Sequence, residues 1–70
     1  MNSEDAFMMF LKWPDTTIEM VERMYKQYPR LSGHMVEELF YAKRLDLLQF
    51  FHSVNWFRMA GRDFYTQLIG

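Results

Sequence analysis

Apolar residues recur at helical spacing in four segments of the chain, while the strict alternation typical of β-strands is nearly absent. Apolar positions three and four residues apart lie on one face of an α-helix, where they can pack against a core. We therefore expect an all-α protein, a small bundle of four helices with a long C-terminal amphipathic helix. The predicted helices span residues 4–12, 16–28, 34–43 and 47–69.

Short polar residues and prolines mark the ends of the first three helices. Ser3 is the expected N-cap of the first helix, and Pro14 ends that helix because proline disfavours a helical conformation in the residue before it. Thr16 and Glu19 fit a capping box at the start of the second helix. Ser32 is the expected N-cap of the third helix.

Two acid–base pairs lie four residues apart on the predicted second helix, with the acid first, which is the favourable order. The pairs are Glu19–Arg23 and Glu22–Lys26. We expect both to form ion pairs on the solvent-facing side of the helix.

The C-terminal segment carries the longest apolar stripe, which stays within an arc of about 140° from Leu47 to Ile69. Asp46 and Gln49 fit a second capping box in front of it. The stripe passes Gly61 without a change of phase, which favours one continuous helix over two short helices with Gly61 as a C-cap. A helix of this length would extend beyond a small bundle and leave apolar surface uncovered.

The composition favours association with another chain. Seventy residues are expected to form one domain, 1–70, which buries a smaller share of its surface than a larger domain does. The chain has no Cys, so disulfides and thiolate zinc sites cannot stabilise it. Aromatic residues make up 19% of the chain and there are seven Met, and both types are enriched in protein interfaces.

The charge pattern disfavours other classes of partner. The net charge is −1 without a basic stripe, and Glu37 and Glu38 on the third helix would repel phosphates, so nucleic-acid binding is not expected. No apolar run reaches the length of a membrane span. The beginning of the chain carries Glu4 and Asp5 where a signal peptide would be basic. We expect a cytoplasmic protein, with bacteria or their phages as the expected origin.

No group of residues indicates catalysis or a cofactor. His34 and Glu38 are four residues apart and could share a metal ion, but no further ligand stands near them in the sequence. His52 and Ser53 are adjacent, so on a helix their side chains point about 100° apart and cannot exchange a proton. We expect no enzyme activity, no metal and no cofactor.

The predicted function is a small protein–protein interaction module, an adaptor, chaperone or inhibitor, that binds its partner through the C-terminal helix. The alternatives are an obligate homo-oligomeric structural protein and, third, a small DNA-binding regulator. The expected partner-binding residues are Leu48, Trp56, Phe57, Arg58, Met59, Phe64, Tyr65 and Leu68.

Trp56, Arg58 and Tyr65 are the expected hot spots, because Trp, Tyr and Arg most often dominate binding energy. Trp56 has an alternative role, which is to pack on Trp13 or Phe10 and complete the core. Arg58 either meets a carboxylate or an aromatic face, or extends to water at the edge of the stripe.

The stripes also predict a core and a stability test. The expected core residues are Val21, Leu39, Leu47, Phe51 and Val54. Truncating Phe51 or Leu39 to Ala should each cost about 2–5 kcal/mol in the free energy of unfolding, because the change removes buried apolar contacts and leaves a cavity. Urea denaturation followed by circular dichroism measures the loss. A loss below about 1 kcal/mol at both positions would show that the stripes were assigned to the wrong face.

Overall fold

The computed structural model describes residues 2–69, and 72% of these residues are helical. Its helices are α1 (Ser3–Lys12), α2 (Ile18–Met24), a 3-10 turn (Tyr25–Gln27), α3 (Gly33–Tyr41), α4 (Leu45–Ser53) and α5 (Met59–Ile69). Within residues 2–69 there is no strand, and one isolated parallel bridge joins Leu31 to Phe57. The all-α class is confirmed, with five α-helices instead of the four expected.

The prediction of one long C-terminal helix is wrong, because two helices, α4 and α5, occupy that segment. α4 ends at Ser53, and Asn55 takes the left-handed conformation with φ of 56°. The amide of Asn55 donates to the His52 carbonyl at 3.1 Å, and that of Trp56 donates to the Phe51 carbonyl at 2.9 Å. These two bonds form a Schellman motif, which satisfies the last carbonyls of α4 and turns the chain back on itself.

The same device ends α3 at Tyr41, two residues before the predicted end. Lys43 has φ of 60°, and its amide donates to the Phe40 carbonyl at 3.0 Å. The amide of Arg44 donates to the Leu39 carbonyl at 2.9 Å, completing the motif. Both helix ends therefore use non-glycine residues in a conformation that glycine adopts more easily.

The helix starts agree with the sequence only in part. The prediction is confirmed for Ser32, whose hydroxyl accepts from the Met35 amide. The cap of α1 is Asn2 instead of Ser3, and its side-chain oxygen accepts from the Asp5 amide at 2.8 Å.

The two predicted capping boxes are absent from the described structure. Thr17 caps α2, while the buried Thr16 donates its hydroxyl to the Phe10 carbonyl at 2.7 Å. α4 starts at Leu45, so Asp46 lies inside the helix, where it cannot serve as the N-cap.

The core lies where residues from all five helices and the connecting segments meet. Four of the five predicted core residues are fully buried, but Val54 is 38% exposed because α4 ends just before it. Rings fill the centre: Phe7 stacks on Tyr28 at 4.6 Å and meets Phe51 edge-on at 6.1 Å. The buried apolar residues are Phe7, Met8, Leu11, Val21, Tyr25, Leu31, Met35, Val36, Leu39, Leu47, Leu48, Phe51, Phe57 and Tyr65.

Two connecting segments are joined through Leu31, which is fully buried. Its amide donates to the Trp56 carbonyl at 3.0 Å, and its carbonyl accepts from the Arg58 amide at 2.8 Å. This pairing brings the start of α5 against the start of α3. The backbone of Gly61 lies against the backbone of Leu31. A β-carbon at position 61 would be 2.3 Å from the Leu31 carbonyl oxygen, so only glycine fits there without a clash.

Replacing Gly61 with Ala tests this contact, with Gly33→Ala as the matched control. Gly61→Ala forces a methyl into backbone atoms, and we expect a loss of about 2–3 kcal/mol in the free energy of unfolding despite the better helix propensity of Ala. At Gly33 the nearest atom to an added β-carbon is 3.6 Å away, so Ala should be neutral or stabilising by up to about 1 kcal/mol. Urea denaturation of both variants measures the difference, and equal effects would contradict the close approach.

Candidate protein-binding face

The structure places the eight predicted partner-binding residues in three different environments. Leu48, Phe57 and Tyr65 are buried in the chain's own core, whereas we expected from the sequence that the fold would leave them uncovered. The side chains of Trp56, Phe64 and Leu68 are partly buried and pack against that core. Arg58 and Met59 are exposed. The reason is the turn after α4, which lays α5 on α3 so that it does not overhang the bundle.

Trp56 packs within its own fold, but against neighbours that the sequence did not indicate. Its ring meets Tyr25 edge-on at 5.0 Å, and the guanidinium of Arg30 lies 4.6 Å from its centroid. The indole N–H is buried without a hydrogen-bond partner among the described residues. Arg58 lies in solvent, with no carboxylate within 4.0 Å in the part of the chain that the structure describes.

Large apolar side chains remain exposed on another side of the molecule. Tyr41 is 73% exposed, Trp13 is 62% exposed and Met9 is 59% exposed, and Leu45 is also open to solvent. Met9 and Trp13 are four residues apart at the end of α1, so they lie on one side of that helix. We call these four residues the α1–α3 face.

An ion pair joins the two helices of this face. The ammonium of Lys12 on α1 lies 3.0 Å from the carboxylate of Glu38 on α3, and His34 reaches the other carboxylate oxygen at 3.1 Å. Tyr41 follows Glu38 by three residues, which places it on the same side of α3. The exposed residues of α1 and α3 are therefore neighbours on one surface.

Arg44 fixes the chain that leaves α1. Its guanidinium donates to the carbonyls of Trp13 at 2.8 Å, Pro14 at 3.4 Å and Thr16, and it also binds both carboxylate oxygens of Asp46, at 3.3 and 3.2 Å. Only a planar fork of five N–H donors can serve so many acceptors at once. The backbone beneath the exposed Trp13 side chain is thereby held in place, and so is the start of α4 beside it.

Neither a metal-binding cluster nor a membrane-spanning helix occurs among residues 2–69. Within residues 2–69, no group of three or more His, Asp and Glu side chains could hold a metal ion. Likewise, none of the helices described is both long enough and apolar enough to cross a membrane. The Glu38 carboxylate, which the sequence presented as a possible metal ligand, is instead shared by Lys12 and His34.

Two features of the sequence could have indicated this face. Trp13 stands after the last stripe residue of the first helix and before Pro14, and Tyr41 lies off the apolar stripe of the third helix. A large aromatic residue outside a stripe has no assigned place in the core. Such residues are candidates for a binding surface.

Comparison of the chain with models of protein families, with curated proteins and with solved structures gave no match.

Arg44→Lys tests the role of the guanidinium, with Asp46→Asn as the control. Lys keeps the charge but lacks the planar fork, and the part-buried Thr16 carbonyl would lose its donor, so we expect a loss of about 1–3 kcal/mol in the free energy of unfolding. Asp46→Asn keeps the carbonyl contacts and weakens an ion pair whose acid is half exposed, so it should cost less than about 1 kcal/mol. Thermal and urea unfolding compare the two variants; an equal loss would mean that the carbonyl contacts contribute little.

Proposed function

We propose that the protein is a non-enzymatic binding module that attaches to another protein chain through the α1–α3 face. The observation that carries the proposal is the exposure of Trp13 and Tyr41 at the ends of two helices that the Lys12–Glu38 ion pair joins. Trp and Tyr are the residues that most often provide hot spots, and Met is enriched in interfaces. The proposed surface lies away from the C-terminal helix that the sequence suggested.

The energy available from the two rings supports a contact of moderate size. A buried Trp or Tyr contributes about 150–250 Å² at about 25 cal/mol per Å². Tyr41 is 73% exposed and Trp13 is 62% exposed, so covering both residues would contribute about 5–8 kcal/mol before the cost of association. A micromolar complex needs about 8 kcal/mol after the cost of association, so Met9 and Leu45 must also be covered.

The polar groups beside the face suit a surface that becomes buried. Lys12 and Glu38 already neutralise each other, and Arg44 is largely buried with its donors occupied. A partner that covers them would not strand an unpaired charge, which is the main penalty for burying ionic groups. The face can therefore accept an apolar partner surface without leaving an unpaired charge, at the lowest cost when the Lys12–Glu38 pair stays in water at the edge of the contact.

A second copy of the chain is the rival occupant, because an exposed apolar face can pair with itself around a two-fold axis. The fourteen buried apolar residues belong to a core that one chain completes by itself, which favours a folded monomer that meets a different partner. Sedimentation of the purified protein across a concentration series distinguishes the two. A stable symmetric dimer that Trp13→Ser dissociates would support the homo-oligomer.

Trp13→Ser and Tyr41→Ser test the proposed face, and Met59→Ser is the matched control. Met59 is 83% exposed at the start of α5, which lies at the opposite end of α3 from Tyr41. We expect each change in the face to weaken partner binding about tenfold or more, since a hot-spot truncation costs about 2 kcal/mol. Affinity capture from the host's lysate with quantitative mass spectrometry, followed by titration of the captured protein, measures the loss.

The control determines what the result means. Met59→Ser should keep full affinity, and all three variants should keep the helical content of the parent, because the altered side chains are exposed. If Met59→Ser abolishes binding while the two changes in the face do not, the partner surface lies on α5 and the proposal is wrong.

A further inference from the structure

A cleft of about 320 Å³ lies between the end of α2, the 3-10 turn and the end of α4. This volume is at the lower end of the range of small-molecule sites, about 300–1,000 Å³. The cleft is separate from the α1–α3 face, and none of the four residues of that face lines it. We call it the α2–α4 cleft; the lining residues that matter here are Glu22, Arg23, Tyr25, Lys26, Phe50 and Val54.

The floor of the cleft is aromatic and held in place. Tyr25 and Phe50 meet edge-on with ring centroids 5.4 Å apart, and Tyr25 also meets Phe51 at 6.1 Å and Trp56 at 5.0 Å. Tyr25 is thus fixed from three sides. Val54 is 38% exposed because α4 ends just before it, and its side chain adds apolar surface to the cleft.

The rim of the cleft carries positive charge without a bound acid. Arg23 and Lys26 form no ion pair within 4.0 Å in the described range, so the pairs Glu19–Arg23 and Glu22–Lys26 expected from the sequence are absent there. The cause for Lys26 is the 3-10 turn, because α2 ends at Met24 and the i,i+4 spacing to Glu22 no longer applies. The ammonium of Lys26 lies 6.0 Å from the centroid of the Tyr25 ring.

We infer that the α2–α4 cleft binds a small organic anion with an apolar, preferably aromatic, body and one carboxylate or sulfonate group. The body packs on Tyr25 and Phe50 against Val54, and the acid group accepts charge-assisted hydrogen bonds from Arg23 and Lys26. The complementarity is in the charge: two cations stand at the rim against the single carboxylate of Glu22. An uncharged ligand of the same shape packs on Tyr25 and Phe50 but makes no charge-assisted hydrogen bond to Arg23 or Lys26.

A pair of fluorescent probes separates these two contributions. Anilinonaphthalene sulfonate carries an aromatic body and one anionic group, and N-phenylnaphthylamine has the same ring system without the charge. The double variant Arg23→Gln with Lys26→Gln removes both cations and keeps similar side-chain bulk. We expect it to weaken binding of the sulfonate about tenfold or more while changing binding of the neutral probe less than about twofold. Arg62→Gln, which alters an exposed cation on α5, should change neither.

Nuclear magnetic resonance locates the probe without any variant. Titration of the intact protein with the sulfonate should shift the amides of residues 22–27 and 50–54 first, and these shifts should saturate together. Shifts confined to the α1–α3 face would overturn the inference. So would a sulfonate affinity that the double variant leaves unchanged, since the probe would then be held by exposed apolar surface alone. Neither outcome bears on the proposed binding of a protein partner.

Discussion

The pairing of Leu31 with the segment before α5 is the contact on which the rest of the fold depends. Leu31 is fully buried, so its amide and carbonyl would be costly without partners, and the Trp56 carbonyl and Arg58 amide supply them. The same two bonds fix where α5 begins. They bring α5 against α3 so closely that position 61 has to be glycine. The last helix thereby covers the core, to which it contributes Tyr65, and Phe57 is buried just before it.

Closure by α5 also determines which surfaces stay open. α3 receives α5 near its start, where Gly33 lies close to Ala60, and the exposed Tyr41 is at its other end. At that other end the Arg44 guanidinium, just before α4, donates a hydrogen bond to the Trp13 carbonyl just after α1, and the Trp13 side chain is exposed to solvent. Backbone hydrogen bonds of Leu31 hold one end of α3 and the Arg44 guanidinium holds the other, and the exposed Tyr41 and Trp13 lie at the Arg44 end.

Local features of this fold could be predicted from the sequence, and non-local ones could not. The cap at Ser32, the break before Pro14 and the buried positions Leu39 and Phe51 depend on neighbours within a few residues or on one helix face. The turn at Asn55, by contrast, depends on contacts with residues far away in the sequence. An apolar stripe that resumes in phase after a turn has the same spacing as a continuous helix, and the Leu31 pairing that selects the turn involves residues more than twenty positions away.

The same reasoning explains why the candidate face could not be read from the stripes. A stripe identifies the side of a helix that the protein buries. Phe57 and Tyr65 lie on the predicted C-terminal stripe, and Leu48 lies on a second apolar side of the same predicted helix. In the folded chain those residues are buried within its own core. Trp13 and Tyr41, which are among the most exposed large apolar residues, belong to none of the predicted stripes. In a small helical protein, a partner surface should therefore be sought among the aromatic residues that remain after the core has been assigned.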